Sequence, residues 1–200
     1  MKNSLPYNKY LRDLNRTIYP KSYIDNFLAI KPFIENLSSY NYDFRKVNVS
    51  NLIGLPNKID DGFLAVSSPD LTSLEGCPET ISLSLTLDNN SKLTTLQYIS
   101  KNFSYLSCCG SPIIDISDLY DITVFGGYAQ IFIDFNDNLA VLPLIKFVCK
   151  IYSNLKLNKI IDMHNIHNFH NVASMKESLV DLQLDLIKNG YEQNARWKPN

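Results

Sequence analysis

The sequence predicts an α/β solenoid in which about four to five short turns stack between helical N- and C-terminal caps. Three observations predict this fold. Apolar residues recur about every 22 residues through the middle of the chain, an alternating apolar pair precedes the later copies, and helical apolar spacing is confined to the ends. With 200 residues, 45% of them hydrophobic and 20% charged, the chain can bury such a core and is not an extended disordered polymer.

The chain divides into a helical N-terminal cap over residues 1–46, a repeat array over residues 47–143, and a strand and helix C-terminal cap over residues 144–200. The formal net charges of these parts are +4, −8 and +3. Because an acidic surface repels phosphates, we expect no nucleic acid on the array. The acidic charge either keeps the array soluble or forms a docking face for a basic partner.

The repeat is clearest in two aligned segments, residues 49–56 (VSNLIGLP) and residues 71–78 (LTSLEGCP). Ile59 and Ile81 each follow ten residues after the start of their segment. A third copy keeps this spacing without the Gly and Pro, and a fourth is weaker and slips by one residue. The apolar positions of these two copies are Leu93, Leu96 and Phe103, then Ile113, Ile116 and Ile122.

An alternating apolar pair and a polar turn precede each later copy. Alternation places both side chains of a pair on one face of a short strand, and the polar turn bends the chain inward. No single turn can bury its apolar face alone, so neighbouring turns must stack. A meandering β-sandwich is the alternative. The pairs are Leu64 and Val66, Leu85 and Leu87, and Leu106 and Cys108.

Residues 85–96 read L-x-L-x-x-N-x-x-L-x-x-L, the core of the leucine-rich-repeat pattern. With the turn at residues 71–78 and the tail at residues 186–197, the chain resembles short leucine-rich-repeat-like proteins encoded by bacteriophages. Its 22 Asn and 6 Ala residues also favour AT-rich codons, as in a phage genome. The resemblance covers roughly residues 47–143 and the tail, and it implies a solenoid, a phage origin and no enzymatic activity.

The N-terminal residues 5–37 carry apolar side chains at helical spacing, interrupted at Pro20 and Pro32. We expect two or three short helices that cap the open first turn of the solenoid, since an uncapped end turn would expose its core. A partner-binding helical arm is the alternative.

After the repeats, residues 131–133 predict a buried strand and residues 139–148 a helix that enters near Pro143. Leu155 and Leu157 are expected in a last strand. Residues 174–177 (SMKE) form a capping box, which predicts a final helix that begins after Ser174 and ends at Gly190.

Motifs of catalysis are sparse. The chain lacks a phosphate-binding loop, a dinucleotide fingerprint and a Gly-x-Ser-x-Gly elbow. His164, His167 and His170 are the three histidines, and in a loop they could converge on zinc. Because asparagines surround them, we favour a polar connector over a metal-dependent enzyme, and we expect no cofactor and no metal.

The cysteines predict core positions rather than redox chemistry. Cys108 aligns with Leu87 and Val66, Cys77 aligns with Leu55, and Cys149 lies in an apolar run. The sequence shows neither a secretory signal nor an apolar run long enough for a membrane helix. We therefore expect a cytoplasmic protein with reduced cysteines, located in the host cell if it is phage-encoded.

These observations predict a non-enzymatic protein-binding module, a phage factor that binds and modulates a host or phage protein in host takeover or counter-defence. A structural virion or assembly component is the alternative. The partner surface is expected to be basic, with association that weakens as salt rises.

Side chains between the alternating core pairs are expected to point outward and to form the binding face. The alternative is that this face is bare and the helical ends bind, and Trp197 either anchors a partner or pins the last helix. We expect Thr86→Arg combined with Asp88→Arg to abolish partner capture without lowering thermal stability. The candidate residues are Ala65, Thr86 and Ser107, then Ser67, Asp88 and Cys109, with Asp70 and Asn90 in the turns and Trp197 near the end.

Overall fold

The chain folds into a parallel-strand β-solenoid of about four turns. The computed structural model describes residues 28–31, 41–120, 122, 129–134, 136–137, 139–146, 148–152, 154–164 and 172–197. Within them, β1, β3, β5, β6, β7 and β8 form a six-stranded sheet in that order, and β2 and β4 form a two-stranded sheet. The strands are β1 (Asn41–Phe44), β2 (Lys58–Ile59), β3 (Phe63–Val66), β4 (Thr80–Ile81), β5 (Ser84–Thr86), β6 (Tyr105–Ser107), β7 (Gln130–Asp134) and β8 (Val148–Tyr152).

The predicted repeat register is confirmed. Leu64 pairs with Leu85, and Leu85 pairs with Leu106, so equivalent residues of successive turns lie side by side in parallel strands. All three side chains are fully buried, as are Leu87 and Cys108 of the predicted pairs. The next strand continues the column with Ile131. Each turn therefore buries its apolar pair against the turns on either side, which no isolated turn could do.

The return segments also stack as the alignment predicts. Leu74, Leu93 and Leu96 are fully buried. The Leu52 amide donates to the Glu75 carbonyl at 2.8 Å, and the Leu96 amide donates to the Asp115 carbonyl at 3.0 Å, so the backbones of adjacent returns are tied together.

The α/β alternation expected of the array is not present in residues 41–116, which contain strands and turns but no helix. Turns rather than helices reverse the chain there. Gly76 has a φ of +87°, and a Cβ at this position would lie 2.4 Å from the Ile53 backbone, so glycine alone fits the close approach of two turns. A four-residue helix, α1 (Ser117–Tyr120), follows this region.

A buried polar ladder runs through the turns that follow the strands. Ser68, Asn90 and Ser111 are at most 3% exposed. Asn90 Oδ1 accepts from the Ser68 amide at 2.8 Å, and Asn90 Nδ2 donates to the Val66 carbonyl at 3.0 Å. The Asn90 amide donates to Ser111 Oγ at 2.9 Å. The ladder thus satisfies backbone groups that the tight turns bury away from water.

Asn90 was expected on the binding face, and this expectation is wrong. Its side chain is fully buried, and its amide group forms two hydrogen bonds with the backbone of the preceding turn. A polar residue in a turn predicts exposure only when water can reach the turn. Here the stacked neighbours cover it, so its polarity serves the fold.

Beyond the repeats, the chain forms a 3₁₀ helix (Leu142–Lys146) and then α2 (Leu155–Met163) and α3 (Val172–Lys188). The strand expected at Leu155 and Leu157 is wrong, because these residues begin α2, where Asn154 Oδ1 accepts from the Leu157 amide at 2.9 Å. None of the helices in the described part of the chain has the length and apolar character of a membrane-spanning segment.

The C-terminal end of α3 agrees with the prediction, and its N-terminal end does not. The helix begins at Val172, so Ser174 lies inside it and is not its N-cap. At the other end Gly190 has a φ of +83°. The Tyr191 amide donates to the Leu186 carbonyl and the Gly190 amide to the Ile187 carbonyl, at 2.9 and 3.0 Å. This pattern is a Schellman stop, and the predicted role of Gly190 is confirmed.

Asn158 of α2 closes the free edge of β8. Its Nδ2 donates to the Ile151 carbonyl at 2.5 Å, and its Oδ1 accepts from the Ile151 amide at 2.9 Å. One side-chain amide therefore bonds both backbone groups of Ile151, the fourth of the five residues of β8, as a further strand would. An edge blocked in this way cannot pair with another chain at that residue.

The main sheet extends past both predicted boundaries of the array. β1 pairs with β3 although it lies within residues 1–46, and β8 pairs with β7 although it lies within residues 144–200. Residues 28–31 are helical and bury Ile30. The other helices expected in residues 5–37 lie outside the described residues.

Candidate binding surface

Side chains that alternate with the buried pairs line the opposite side of the main sheet, which we name the outer face. Strand register arranges them in rows across the solenoid, and a third row follows the strand ends. The first row is Asn41, Phe63, Ser84, Tyr105 and Gln130, the second is Asp43, Ala65, Thr86, Ser107 and Phe132, and the third is Ser67, Asp88, Cys109 and Asp134.

Two of the predicted outward residues are not accessible. Ala65 is 4% exposed and Ser107 is 5% exposed, so the expectation that they form a flat, open surface is wrong. Both side chains are short and lie among longer neighbours. Phe132 is the register partner of Ser107, and the ring of Tyr105 lies 5.1 Å from that of Phe132. Thr86, in the same row, is half-buried and keeps part of its surface in water.

Asp88 connects two turns of the solenoid. Its Oδ1 accepts from Ser107 Oγ and from the Cys109 amide, both at 2.7 Å. The side chain is half-buried, so the premise that Asp88 is simply exposed is wrong. Replacing it with Arg would remove two short hydrogen bonds to a carboxylate, each of which stabilises by about 1.5–3 kcal/mol. The expected neutrality of Asp88→Arg toward thermal stability is therefore not supported.

Asp134 repeats this arrangement one turn further along. Its Oδ2 accepts from the Gly110 amide at 2.6 Å. Two carboxylates from turns on either side thus bond to consecutive amides, those of Cys109 and Gly110. Each carboxylate keeps a second oxygen, and neither forms an ion pair with a basic residue in the described part of the chain. The centre of the outer face therefore carries two neighbouring negative charges.

Cys109 lies between these carboxylates. Burial raises the pKa of its thiol to about 11 and outweighs the lowering by the hydrogen bond from Ser107, while the charges of Asp88 and Asp134 add smaller increases. Burial likewise raises the pKa of Cys77 to about 12. Both thiols are therefore neutral near pH 7. Because the thiolate is the form that acts as a nucleophile or metal ligand, neither cysteine is reactive at this pH. Cys109 therefore offers the surface a small uncharged group.

The remaining acidic residues of this region are neutralised locally. Asp70 Oδ1 lies 2.7 Å from Lys92 Nζ, in a pair whose side chains are both about half exposed. The side-chain hydrogen bond from Arg45 holds the pKa of Asp43 below its usual value. Ser67, in the third row, is uncharged and half-buried. The unpaired negative charge of the outer face is thus concentrated at Asp88 and Asp134.

The aromatic residues of the outer face were missed in the sequence. Phe63, Tyr105 and Phe132 are half-buried, and the last two form a tilted ring pair. The alternation that selected Ala65 and Ser107 would have found Phe63 and Tyr105 if it had been followed two residues toward the N-terminus. These rings give the acidic surface its apolar area.

The histidine cluster and Trp197 lie at the C-terminal part of the chain. His164 Nε2 is 3.0 Å from Asp185 Oδ2, and His167 and His170 lie outside the described residues. Among described residues, no group of three or more His, Cys, Asp or Glu side chains could hold a metal ion. Trp197 is 49% exposed and follows Ala195, whose carbonyl accepts from Gln183 of α3. Trp197 therefore belongs to the segment that follows α3 rather than to a strand of the outer face.

Comparisons of the chain with protein-family models, with curated proteins and with solved structures gave no match.

Proposed function

We propose that this protein is a non-enzymatic binding module of the leucine-rich-repeat-like type, capped by helices at both ends. Its outer face binds a protein partner that presents a basic surface. The observation that carries the proposal is the combination, on one sheet face, of half-buried aromatic rings with the unpaired carboxylates of Asp88 and Asp134. Aromatic residues supply contact area in protein interfaces, and unpaired carboxylates select cationic groups.

Small residues leave room between the rings. Phe63 and Tyr105 are in the same row and two strands apart, which corresponds to about 10 Å at ordinary strand spacing. Ser84 lies between them, with Thr86 next to it in the second row. A Lys or Arg stem that enters this gap would pack on the rings, since these side chains bury their stems and keep their heads polar. The carboxylates lie about 13 Å further along the strands, where other cationic groups of the same partner surface would meet them.

The resemblance of residues 85–96 to the leucine-rich-repeat pattern, together with the Asn-rich composition, supports a phage source. On that basis we place the protein in the host cytoplasm, where it modulates a host or phage protein. Stacked repeats present extended surfaces that are suited to binding a partner. The aromatic rings and carboxylates of the outer face are features of this chain that also support binding.

The test compares two variants that add the same charge in different places. Thr86→Arg places a cation in the middle of the outer face, at a half-buried side chain that forms no hydrogen bond within the described part of the chain. Gln97→Arg places it on the exposed return segment at the other side of the turn. Both proteins and the wild type are immobilised and incubated with one bacterial lysate, and the retained proteins are quantified by mass spectrometry.

We expect at least one basic protein that the wild type and Gln97→Arg retain and Thr86→Arg loses by tenfold or more. Circular dichroism must show that both variants are folded. If every retained protein is captured equally by Thr86→Arg, or if the lost proteins are acidic, the proposed function of the outer face is wrong.

A further inference from the structure

A stripe of large apolar side chains faces solvent along α3. Val180, Leu184 and Ile187 are 55%, 47% and 42% exposed. Their spacing of four and three residues places them on one side of the helix. The opposite side of α3 buries Leu179, Leu182 and Leu186 against the rest of the protein. The helix is therefore apolar on two sides, whereas a helix with a single packing surface has one apolar stripe.

Two charged residues in the part of α3 whose side chains are described, Asp181 and Lys188, fit a two-fold arrangement. At 100° per residue they lie on the same flank of the stripe, and along the helix axis Leu184 is the middle one of the three stripe residues. If a second α3 packs antiparallel with the two Leu184 side chains in contact, Asp181 of each helix lies about one residue from the level of Lys188 of the other. Two-fold symmetry brings this flank of one helix against the same flank of the other, so opposite charges meet twice.

We propose that α3 is the interface of a two-fold symmetric dimer, in which Val180, Leu184 and Ile187 pack against the same residues of a second copy. The occupant is a second copy because the charge pattern is complementary to itself. Asp181 and Lys188 are both exposed and available for such pairs. Lys188 contacts Asp185 within its own helix at 3.7 Å, a long and exposed pair that yields readily to a new partner.

The interface is small, and interfaces of this size are typical of weak, reversible contacts. α3 has 17 residues, a length of about 25 Å. One helix pair of this length lies at the small end of specific interfaces, below about 1,200 Å² of total buried area. We therefore expect a reversible dimer with a Kd of about 10–100 µM rather than a permanent one. None of the outer-face residues is in this interface, and the proposal does not depend on the proposed function.

Sedimentation velocity of the full chain over roughly 1–500 µM tests the dimer, since this range brackets the expected Kd. We expect a concentration-dependent shift from monomer to dimer in the wild type. Leu184→Glu should remove the shift and Gln97→Glu, with the same charge on the exposed return segment, should keep it. A monomer at all concentrations, or a dimer that persists in Leu184→Glu, overturns the proposal.

Two further tests address the arrangement of the helices. Leu184→Cys lies next to the symmetry axis, so under mild oxidation it should form an intermolecular disulfide that the wild type does not form. Asp181→Lys and Lys188→Asp should each weaken the dimer by threefold or more, and the two together should restore it. A dimer in which Leu184→Cys forms no such cross-link, or a double variant no stronger than the single ones, contradicts antiparallel packing through α3.

Discussion

Asn90 offers the sharpest test of how the stacked turns are stabilised. Asn90→Ala removes the acceptor of the Ser68 amide at 2.8 Å and the donor to the Val66 carbonyl at 3.0 Å. Both backbone groups belong to a turn that the ladder buries, and an orphaned buried group costs about 1–3 kcal/mol. The expected loss of stability is therefore about 2–6 kcal/mol for the two groups together, a large share of the total of about 5–15 kcal/mol typical of a folded domain.

Urea unfolding followed by circular dichroism measures this loss. A destabilisation of about 3 kcal/mol in a chain of this size also lowers the Tm by about 6–12 °C. Ser91→Ala is the matched control, because Ser91 is the exposed neighbour in the same turn and its replacement should change stability by less than about 0.5 kcal/mol. If Asn90→Ala unfolds within about 0.5 kcal/mol of the wild type, the buried ladder does not stabilise the solenoid and the reasoning fails.

Three further predictions follow from single contacts. Asn158→Ala should destabilise the protein by about 1–3 kcal/mol in urea, because both backbone groups of Ile151 lose a partner. The pKa of Asp115 is lowered chiefly by the hydrogen bond from the Ser117 amide, so the ionised carboxylate stabilises the folded state. This stabilisation is complete above the pKa that Asp115 has in the unfolded chain, and it is lost as the pH falls through the lower pKa of the folded state. The stability gap between the wild type and Asp115→Ala should therefore be larger near pH 7 than near pH 3, and an equal gap contradicts it. Alkylation of Cys109, followed by peptide mass spectrometry, should keep accelerating up to its pKa of about 11, whereas a plateau near pH 9 would show an ordinary thiol.

The core of the solenoid could be predicted because two periodicities agree. Alternation within each strand selects Leu85 and Leu87, and the repeat spacing places Leu64 and Leu106 beside Leu85. A one-residue slip would move every apolar side chain of a strand to the other face. Only one strand register therefore buries the apolar side chains. This constraint holds for buried residues alone.

The candidate surface was harder to predict, because exposure depends on neighbours in other turns. Ala65 and Ser107 have the outward direction that alternation predicts, yet their short side chains lie below those of adjacent strands. Asn90 is polar and in a turn, yet the backbone needs its amide. Residue type and direction indicate which face a side chain is on, and only the packed turns decide whether solvent reaches it.

Competing patterns explain the errors near the C-terminus. Leu155 and Leu157 alternate like a strand, but Leu157, Ile160 and Ile161 are the buried residues of α2 and have helical spacing. Asn154 resolves the ambiguity in favour of the helix because its side chain caps the first turn. Such a cap outweighs a single alternating pair, which both structures accommodate.

Site-specific photo-crosslinking from position 86 tests most directly whether the outer face binds a basic partner. A benzophenone amino acid replaces Thr86 in one protein and Gln97 in another, and both are irradiated in the same lysate. Cross-linked proteins are then identified by mass spectrometry. The proposed function predicts a basic protein that is cross-linked from position 86 and not from position 97. Cross-links of that protein from position 97 alone, or from both positions equally, would contradict binding at the outer face.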